Sequence, residues 1–320
     1  MVQSISRFSI EGIEVTRAIL GCDSFVSWLY QGGDSSFKGS NGRIDFQKTF
    51  ELIKTSVDCG VRSVDLSPPL VNVFNRLQKE SREKIEGLGA LQEWVCTSFT
   101  VDCIPLADYA DEVKASMCSI LPSGYLRNLK HSEAPESSFA RSFFLPIRSA
   151  QPFTVSQIDN IRMKPEFFRK RLELYRNLGA KLIQFGGVTA DWLVALGRID
   201  LLGNLTRLIR KAGFIPLLVC HWTSLVLPLA EKELDVAGYI VPVNKLWGLL
   251  SRSEALDAIR KTRKPMIAMK PLARGVLAHD VEGAFTFLFK KAGVTAVLVG
   301  ISSVAEAKQT FSVFSRIDGR

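Results

Sequence analysis

The stretch GVRSVDLSPP is a short apolar run that ends on Asp65, followed by Ser67 and two prolines. An acid at a strand tip can move a proton, or it can lie buried among hydrogen-bond partners. Ser67 and Lys270 are the expected partners on the second reading. His221, one of three histidines, follows the apolar run FIPLLVC and precedes Trp222. An imidazole there is suited to carry a proton near neutral pH. Lys270 closes PMIAMK and can bind phosphate, pair with Asp65 or form a Schiff base. Nothing around it signals desolvation, so phosphate or acid pairing is the better reading. Asp65, His221 and Lys270 are therefore the candidate catalytic residues. His131 and His279 fall in polar loop sequence, and Cys22 has no evident base beside it.

These residues need elements to position them. Short apolar runs alternate with longer amphipathic ones. AILGC (18–22), VRSVDL, EWVCTSF (93–99), KLIQFGG (181–187), FIPLLVC (214–220), GYIVPVN (238–244), PMIAMKPL (265–272) and TAVLVGI (295–301) read as strands. A Gly/Ser-rich loop, 30–42, follows the first. Helical sequence follows in turn. In DFQKTFELIKTSVDCG (45–60), Phe46, Phe50, Ile53 and Val57 share one face, and Gly60 is placed to end the helix. MKPEFFRKRLELYRNLG carries Pro165 in its first turn. The alternation predicts a (β/α)8 TIM barrel in a single domain over residues 1–320, with a long insertion after strand three. That insertion, residues 100–165, carries the helical run ADYADEVKASMCSIL, polar sequence and an extra strand at FFLPIR (143–148). It is expected to cover the barrel mouth. A doubly wound sheet is the alternative, but no Gly-x-Gly-x-x-Gly turn follows the first strand. In a barrel, chemistry gathers at the C-terminal strand ends, where Asp65, Gln184, His221, Lys270 and Gly300 all fall.

Composition narrows the classes. Hydrophobic residues make up 47% of the 320 residues and charged residues 23%, which supports a packed core. No apolar run reaches about eighteen residues, and the N-terminus lacks a secretory core, so a cytoplasmic protein without a membrane span is expected. The net charge of +9 favours an anionic ligand or small-molecule substrate. Basic residues are spread over helix faces, without an aromatic and basic module for nucleic acid. Six cysteines show no CxxC pair and no zinc spacing, so buried reduced thiols and no metal are expected.

Three stretches together resemble the aldo-keto reductases. EGIEVTRAILGCDSF resembles that family's opening hairpin and first strand. GVRSVDLSPP resembles its second strand, which ends on a catalytic Asp. PMIAMKPLARGVL with GVTAVLVGISSVAEA resembles its seventh and eighth strands and loops. The resemblance implies a barrel that binds NADP(H) and reduces aldehydes or ketones. Its chemistry uses a Tyr as proton donor, a Lys and an Asp that tune it, and a His that orients substrate. Here the Asp is kept as Asp65. The Tyr falls at Leu70, the Lys at Ser98 and the His near Gly186. The nearest tyrosines, Tyr30 and Tyr125, lie in the first loop and the insertion. The carboxamide-holding Ser and Asn fall at Cys220 and His221, a Gln at Ile240, and a stacking aromatic at Met269. The phosphate side is better kept. Lys270, Pro271, Leu272, Arg274 and Gly275 match the seventh loop, and Gly300, Ser302 and Ser303 match the eighth, with Gly21 alongside on strand one. A helix N-terminus at Ser302 and Ser303 can take a phosphate.

The resemblance thus implies an oxidoreductase-like barrel holding a phosphorylated nicotinamide cofactor, its reductase activity diverged or lost. A lyase or isomerase acting on a phosphorylated metabolite through Asp65, His221 and Lys270 stands beside it. A non-catalytic ligand-binding barrel is a third reading.

Overall fold

A computed structural model of the chain describes residues 4–22, 45–91, 98–131, 135–248 and 250–318. The N-terminal strands β1 (Arg7–Ile10) and β2 (Ile13–Thr16) form an antiparallel hairpin. Its two turn residues, Glu11 and Gly12, both have positive φ, 48° and 85°. That twist suits a tight hairpin, and the Glu-Gly pair supplies it. The chain then enters β3 (Ala18–Gly21), α1 (Phe46–Asp58), β4 (Ser63–Leu66), α2 (Val71–Glu80) and β5 (Glu86–Ala90). An insertion follows: β6 (Phe99–Val101), β7 (Ile104–Pro105), α3 (Ala110–Ile120), α4 (Ser123–His131), α5 (Pro135–Phe144), α6 (Val155–Asp159) and β8 (Ile161–Met163). Regular alternation returns with α7 (Pro165–Asn177), β9 (Leu182–Gly186), α8 (Val188–Ala195), α9 (Ile199–Lys211), β10 (Ile215–Val219) and α10 (Thr223–Glu233). The last units are β11 (Gly238–Pro242), α11 (Arg252–Lys261), β12 (Met266–Met269), α12 (Val281–Thr286), β13 (Ala296–Gly300) and α13 (Val304–Asp318).

Eight of these strands close a parallel barrel in the order β3-β4-β5-β9-β10-β11-β12-β13, with β13 returning to β3. Alternation along each strand sorts the side chains. Ile19, Leu88, Leu182, Leu217, Ile240 and Ile267 meet inside the barrel. Ile10 and Val15 of the hairpin join them, so the hairpin plugs the N-terminal end. Val64, Leu66, Ile183, Phe185 and Tyr239 face outward into the layer shared with the helices.

Two elements differ from the sequence expectation. The third barrel strand is β5, EGLGA, rather than EWVCTSF. Residues 93–97 of that stretch lie outside the described residues, as do Asp23, the 30–42 loop and Tyr30. Ser98 is in a turn, and Phe99 begins a small antiparallel sheet of β7, β6 and β8. Gly87 and Gly89 hide the strand from a propensity argument, yet packing requires them. A Cβ on Gly89 would lie 2.7 Å from the Tyr175 ring and 2.8 Å from Ile183, and one on Gly87 would lie 2.9 Å from Leu66. The FFLPIR segment is not a strand either. Its phenylalanines end helix α5, where packing against the barrel rim decides the conformation.

The helices are built as their sequences suggest. In α1, Asp45 caps the start by accepting from the Lys48 amide, and Gly60, at φ +102°, ends the turn after it. Phe50, Ile53 and Val57 are buried, each contributing about 1.5–3 kcal/mol of apolar burial. Phe46, expected on that face, is 39% exposed and stacks on Phe50 instead. Helix α8 is buried on all sides, from Val188 through Val194, because α3 of the insertion packs over it. The end of α13 closes the bottom of the molecule. The Asp318 carboxylate accepts from the Ser6 amide and hydroxyl and pairs with Arg17 at 2.7 Å. No helix among the described residues is long and apolar enough to cross a membrane.

Candidate active site

Three polar groups stand at the C-terminal ends of the barrel strands. The first is built on Asp65, the last inward-facing residue of β4, which is 6% exposed. One carboxylate oxygen accepts from the Cys22 amide at 3.2 Å and from the Cys22 thiol at 2.9 Å. The other accepts from the Gln184 side-chain amide. Gln184 sits on β9, points inward and also donates to the Leu88 carbonyl at 3.2 Å. The Cys22 thiol also lies 3.7 Å from the Ser67 hydroxyl. Cys22 and Gln184 are thus Asp65 partners that the sequence did not suggest. A buried acid surrounded by donors fits the requirement that buried polar groups be paired.

Tyr175, a phenol within electrostatic reach of Asp65, had no pointer in the sequence. Burial pushes its hydroxyl well above the ordinary range, and the negative charge of Asp65 adds to this. The hydroxyl donates to the Ala90 carbonyl at 2.7 Å, with the ring packed outside the barrel against Gly89. It is a packing residue and no substitute for a catalytic tyrosine. Tyr125 of the insertion donates to Glu254 at the start of α11, and burial followed by that hydrogen bond raises its pKa. The position resembling the family's Lys also moves. Because strand three is β5, its end lies at Ala90 and Leu91, and neither supplies an amine.

The second group centres on His221, just past β10. Its ring Nδ1 lies 3.0 Å from the Asp191 carboxylate. Asp191, on α8, is 1% exposed and also accepts from the backbone amides of His221 at 2.9 Å and Trp222 at 2.8 Å. A carboxylate oxygen accepts, so Nδ1 is the ring nitrogen placed to donate to Asp191. The insertion closes over this pair. Phe143 stacks on the imidazole with centroids 4.5 Å apart, and Phe144 meets Trp222 edge-on at 5.7 Å. Asp191 had no sequence signal, being one acid in the apolar run VTADWLVA with partners 30 residues away.

The third group is the loop after β12. Lys270, Ala273, Arg274 and Gly275 all have positive φ, at 56°, 49°, 59° and 94°. Three non-glycine residues in that region mark a backbone held against its preference. Asn244, fully buried after β11, helps hold it by donating to the Lys270 carbonyl at 3.2 Å. Its carbonyl oxygen accepts from the Leu246 and Trp247 amides, so one side chain ties the sixth loop to the seventh. Pro271 and Leu272 are buried, while Arg274 and Gly275 are exposed. Next door, Gly300 is exposed at the tip of β13 and pairs in register with Gly21 of β3. Gly21 is buried, and a Cβ on it would lie 3.4 Å from the Gly300 nitrogen, so the two strand ends pack closely here.

Ser302 and Ser303 are exposed at the start of α13, as expected, but they already have an anion. The Glu306 carboxylate accepts from the Ser302 amide at 2.8 Å and its hydroxyl at 2.6 Å, while Ser303 accepts from the Glu306 amide. A phosphate at this helix end must share or displace that carboxylate. Cys220 is fully buried, and burial raises its thiol pKa well above the usual value, with Asp191 adding to the effect. Cys220 and His221 therefore do not reproduce a Ser and Asn pair that holds a carboxamide. Among the described residues, no group of three or more His, Cys, Asp or Glu side chains is placed to hold a metal ion.

No family model matches the sequence. No curated protein matches it either. The structure does find relatives. A proposed aldo-keto reductase from Pseudomonas aeruginosa, PA4992, superposes with a TM-score of 0.58 at 15% identity, covering 99% of this chain and 98% of that one. The thermostable aldo-keto reductase Tm1743, crystallised with the inhibitor epalrestat, superposes with a TM-score of 0.53 at 12% identity, covering 97% and 94%. Both likenesses run through the barrel and the insertion alike. The chain has the fold of the aldo-keto reductases over almost its whole length.

Proposed function

We propose that this barrel binds a phosphorylated nicotinamide cofactor, NADP(H), across the ends of β3, β12 and β13, with its carbonyl-reducing chemistry diverged or lost. The observation that carries this reading is the seventh loop, held left-handed at Lys270, Ala273 and Arg274 beside the exposed backbone of Gly300. Such a loop offers backbone and cationic groups to a phosphate-bearing ligand. Lys270 and Arg274 would meet the phosphates. The two ends of the site fit the cofactor unequally. At the phosphate end, Lys270 and Arg274 favour an anion, while the Glu306 carboxylate at Ser302 competes with one. The ring end has Cys220 buried and His221 engaged with Asp191, and the proton-donating tyrosine and its lysine are replaced. Standard hydride transfer is therefore not assigned to these residues.

A second reading is favoured by the Asp191 and His221 pair. With Nδ1 bonded to a carboxylate, Nε2 is set up as a proton acceptor. An isomerase or lyase acting on a phosphorylated metabolite would use His221 as base, with Lys270 on the phosphate and Asp65 as a fixed negative charge. One titration separates the readings, following cofactor fluorescence and melting temperature with NADPH, NADH and inorganic phosphate. A ligand at a hundredfold excess over its Kd adds about 2.7 kcal/mol of stability. A shift with NADPH that exceeds NADH and is abolished in Arg274→Glu supports the first reading. A shift with phosphate and none with either nucleotide sinks it and supports the second.

A further inference from the structure

Away from the mouth, a groove of about 690 Å³ runs along the flank of the barrel between α7 and α9. Its floor is aliphatic, with half-buried Leu208, Ala212, Pro165 and Met163 over the almost fully buried Leu172. Its lips are basic. Arg169 and Arg176 stand on α7, seven residues and about 10 Å apart along the axis. Arg207 and Lys211 stand on α9, four residues and about 6 Å apart. Glu173 is the single acid in the lining and sits one turn from each of the α7 arginines. The cations are not neutralised by carboxylates across the groove. Arg176 donates to the Ala212 carbonyl at 2.9 Å and lies over the Phe214 ring. Arg207 donates to the Asn204 amide oxygen. Arg169 has a 4.0 Å contact with Glu166, both largely exposed, and screening leaves such a pair weak.

We propose that this groove docks an acidic amphipathic helix of a partner protein. Two parallel helices with an apolar seam between them are the seat for a third, at the usual interaxial distance of about 8–10 Å. An occupant with acids at positions i and i+7 matches the spacing of Arg169 and Arg176. Apolar residues at i+3 and i+4 then face the half-buried floor at Leu208 and Ala212, the helix-in-groove mode of recognition. The chemistry disfavours a single nucleic-acid strand, which needs aromatic platforms, because the groove lining contains none. The inference is independent of what the barrel mouth binds.

The test uses a fluorescein-labelled helical peptide with Glu at i and i+7 and Leu at i+3 and i+4, followed by anisotropy at low salt. Controls are the same composition scrambled and a ten-nucleotide single-stranded DNA. Arg169→Glu with Lys211→Glu should weaken peptide binding about tenfold or more, since both charges reverse at the rim. Lys290→Glu with Lys291→Glu makes the same change in net charge between β12 and β13, on the far side of the barrel, and should weaken it less than about threefold. If the paired glutamates impair folding, as melting would show, the corresponding alanines replace them with the same ordering expected. Equal weakening by both pairs, equal binding of the scrambled peptide, tighter binding of the DNA, or no peptide binding at low salt would overturn the proposal.

Discussion

Replacing Asp191 by Asn keeps the shape of the side chain and removes its charge. Two backbone amides, those of His221 and Trp222, and the His221 ring all direct N–H groups at this one carboxylate. Asn keeps one good acceptor and brings an amide donor to face the others. Hydrogen bonds to a charged group contribute about 1.5–3 kcal/mol and neutral ones about 0.5–1.5. Each backbone bond should therefore weaken by about 1 kcal/mol, and losing the ring bond costs about 1 more. The expected destabilisation is about 3 kcal/mol, read as a lower urea midpoint and a melting point lower by about 4–5 °C for a chain of this length. His221→Phe separates the parts, because it removes the ring bond and keeps both backbone donors. In that background Asp191→Asn should still cost about 2 kcal/mol, a coupling of about 1 between the residues. A midpoint unchanged by Asp191→Asn would refute the reasoning. So would a cost that vanishes in the His221→Phe background, since the backbone amides would then not be the main recipients.

Asp318→Ala should destabilise by about 1–3 kcal/mol, since it removes the acceptor of the Ser6 amide and leaves Arg17 only its bond to the Thr295 carbonyl and its place over the Phe289 ring. Hydrogen exchange should speed up across the hairpin before the barrel opens. Gly89→Ala should cost about 1–3 kcal/mol through its clash with Tyr175 and Ile183. Gly203→Ala, on α9 with its nearest neighbour at 3.6 Å, should be neutral to slightly stabilising in the same melting assay. Cys220, fully buried, should resist iodoacetamide in the native protein while exposed Cys103 reacts. Because burial holds the Cys220 pKa above its unfolded value of about 9, its contribution to stability is intact below that pH. It is lost as pH rises through the folded pKa, so the wild type should lose more stability above pH 9 than Cys220→Ala does.

The barrel was legible because seven of its strands are apolar runs with bounded ends and helices between them. β5 escaped because Gly87 and Gly89 look like turn sequence. Their small size answers to Leu66, Phe74, Tyr175 and Ile183, which lie far away along the chain or in neighbouring elements. The error carried forward, placing the tuned lysine position at Ser98 instead of the end of β5. FFLPIR read as a strand because aromatic residues favour strands locally, yet Phe143 and Phe144 are fixed by stacking on His221 and Trp222. At the site, the residues that alternate at strand tips could be named from the sequence. Their partners could not, because Gln184 meets Asp65 across 119 positions and Asp191 meets His221 across 30. Those pairings are set by barrel closure and by the burial of α8, neither of which leaves a local pattern.

The Asp318 latch also bears on how the protein is made. Ser6 and Asp318 are separated by 312 positions, and β3 needs β13 as its neighbour to close the ring. At about 5–20 residues per second, a ribosome takes on the order of 15–60 s to supply the second half of each contact. Through that interval the hairpin and first strand exist with one flank unsatisfied, a β3 edge able to pair with the wrong chain. The polar surface of the hairpin and its short strands limit that hazard.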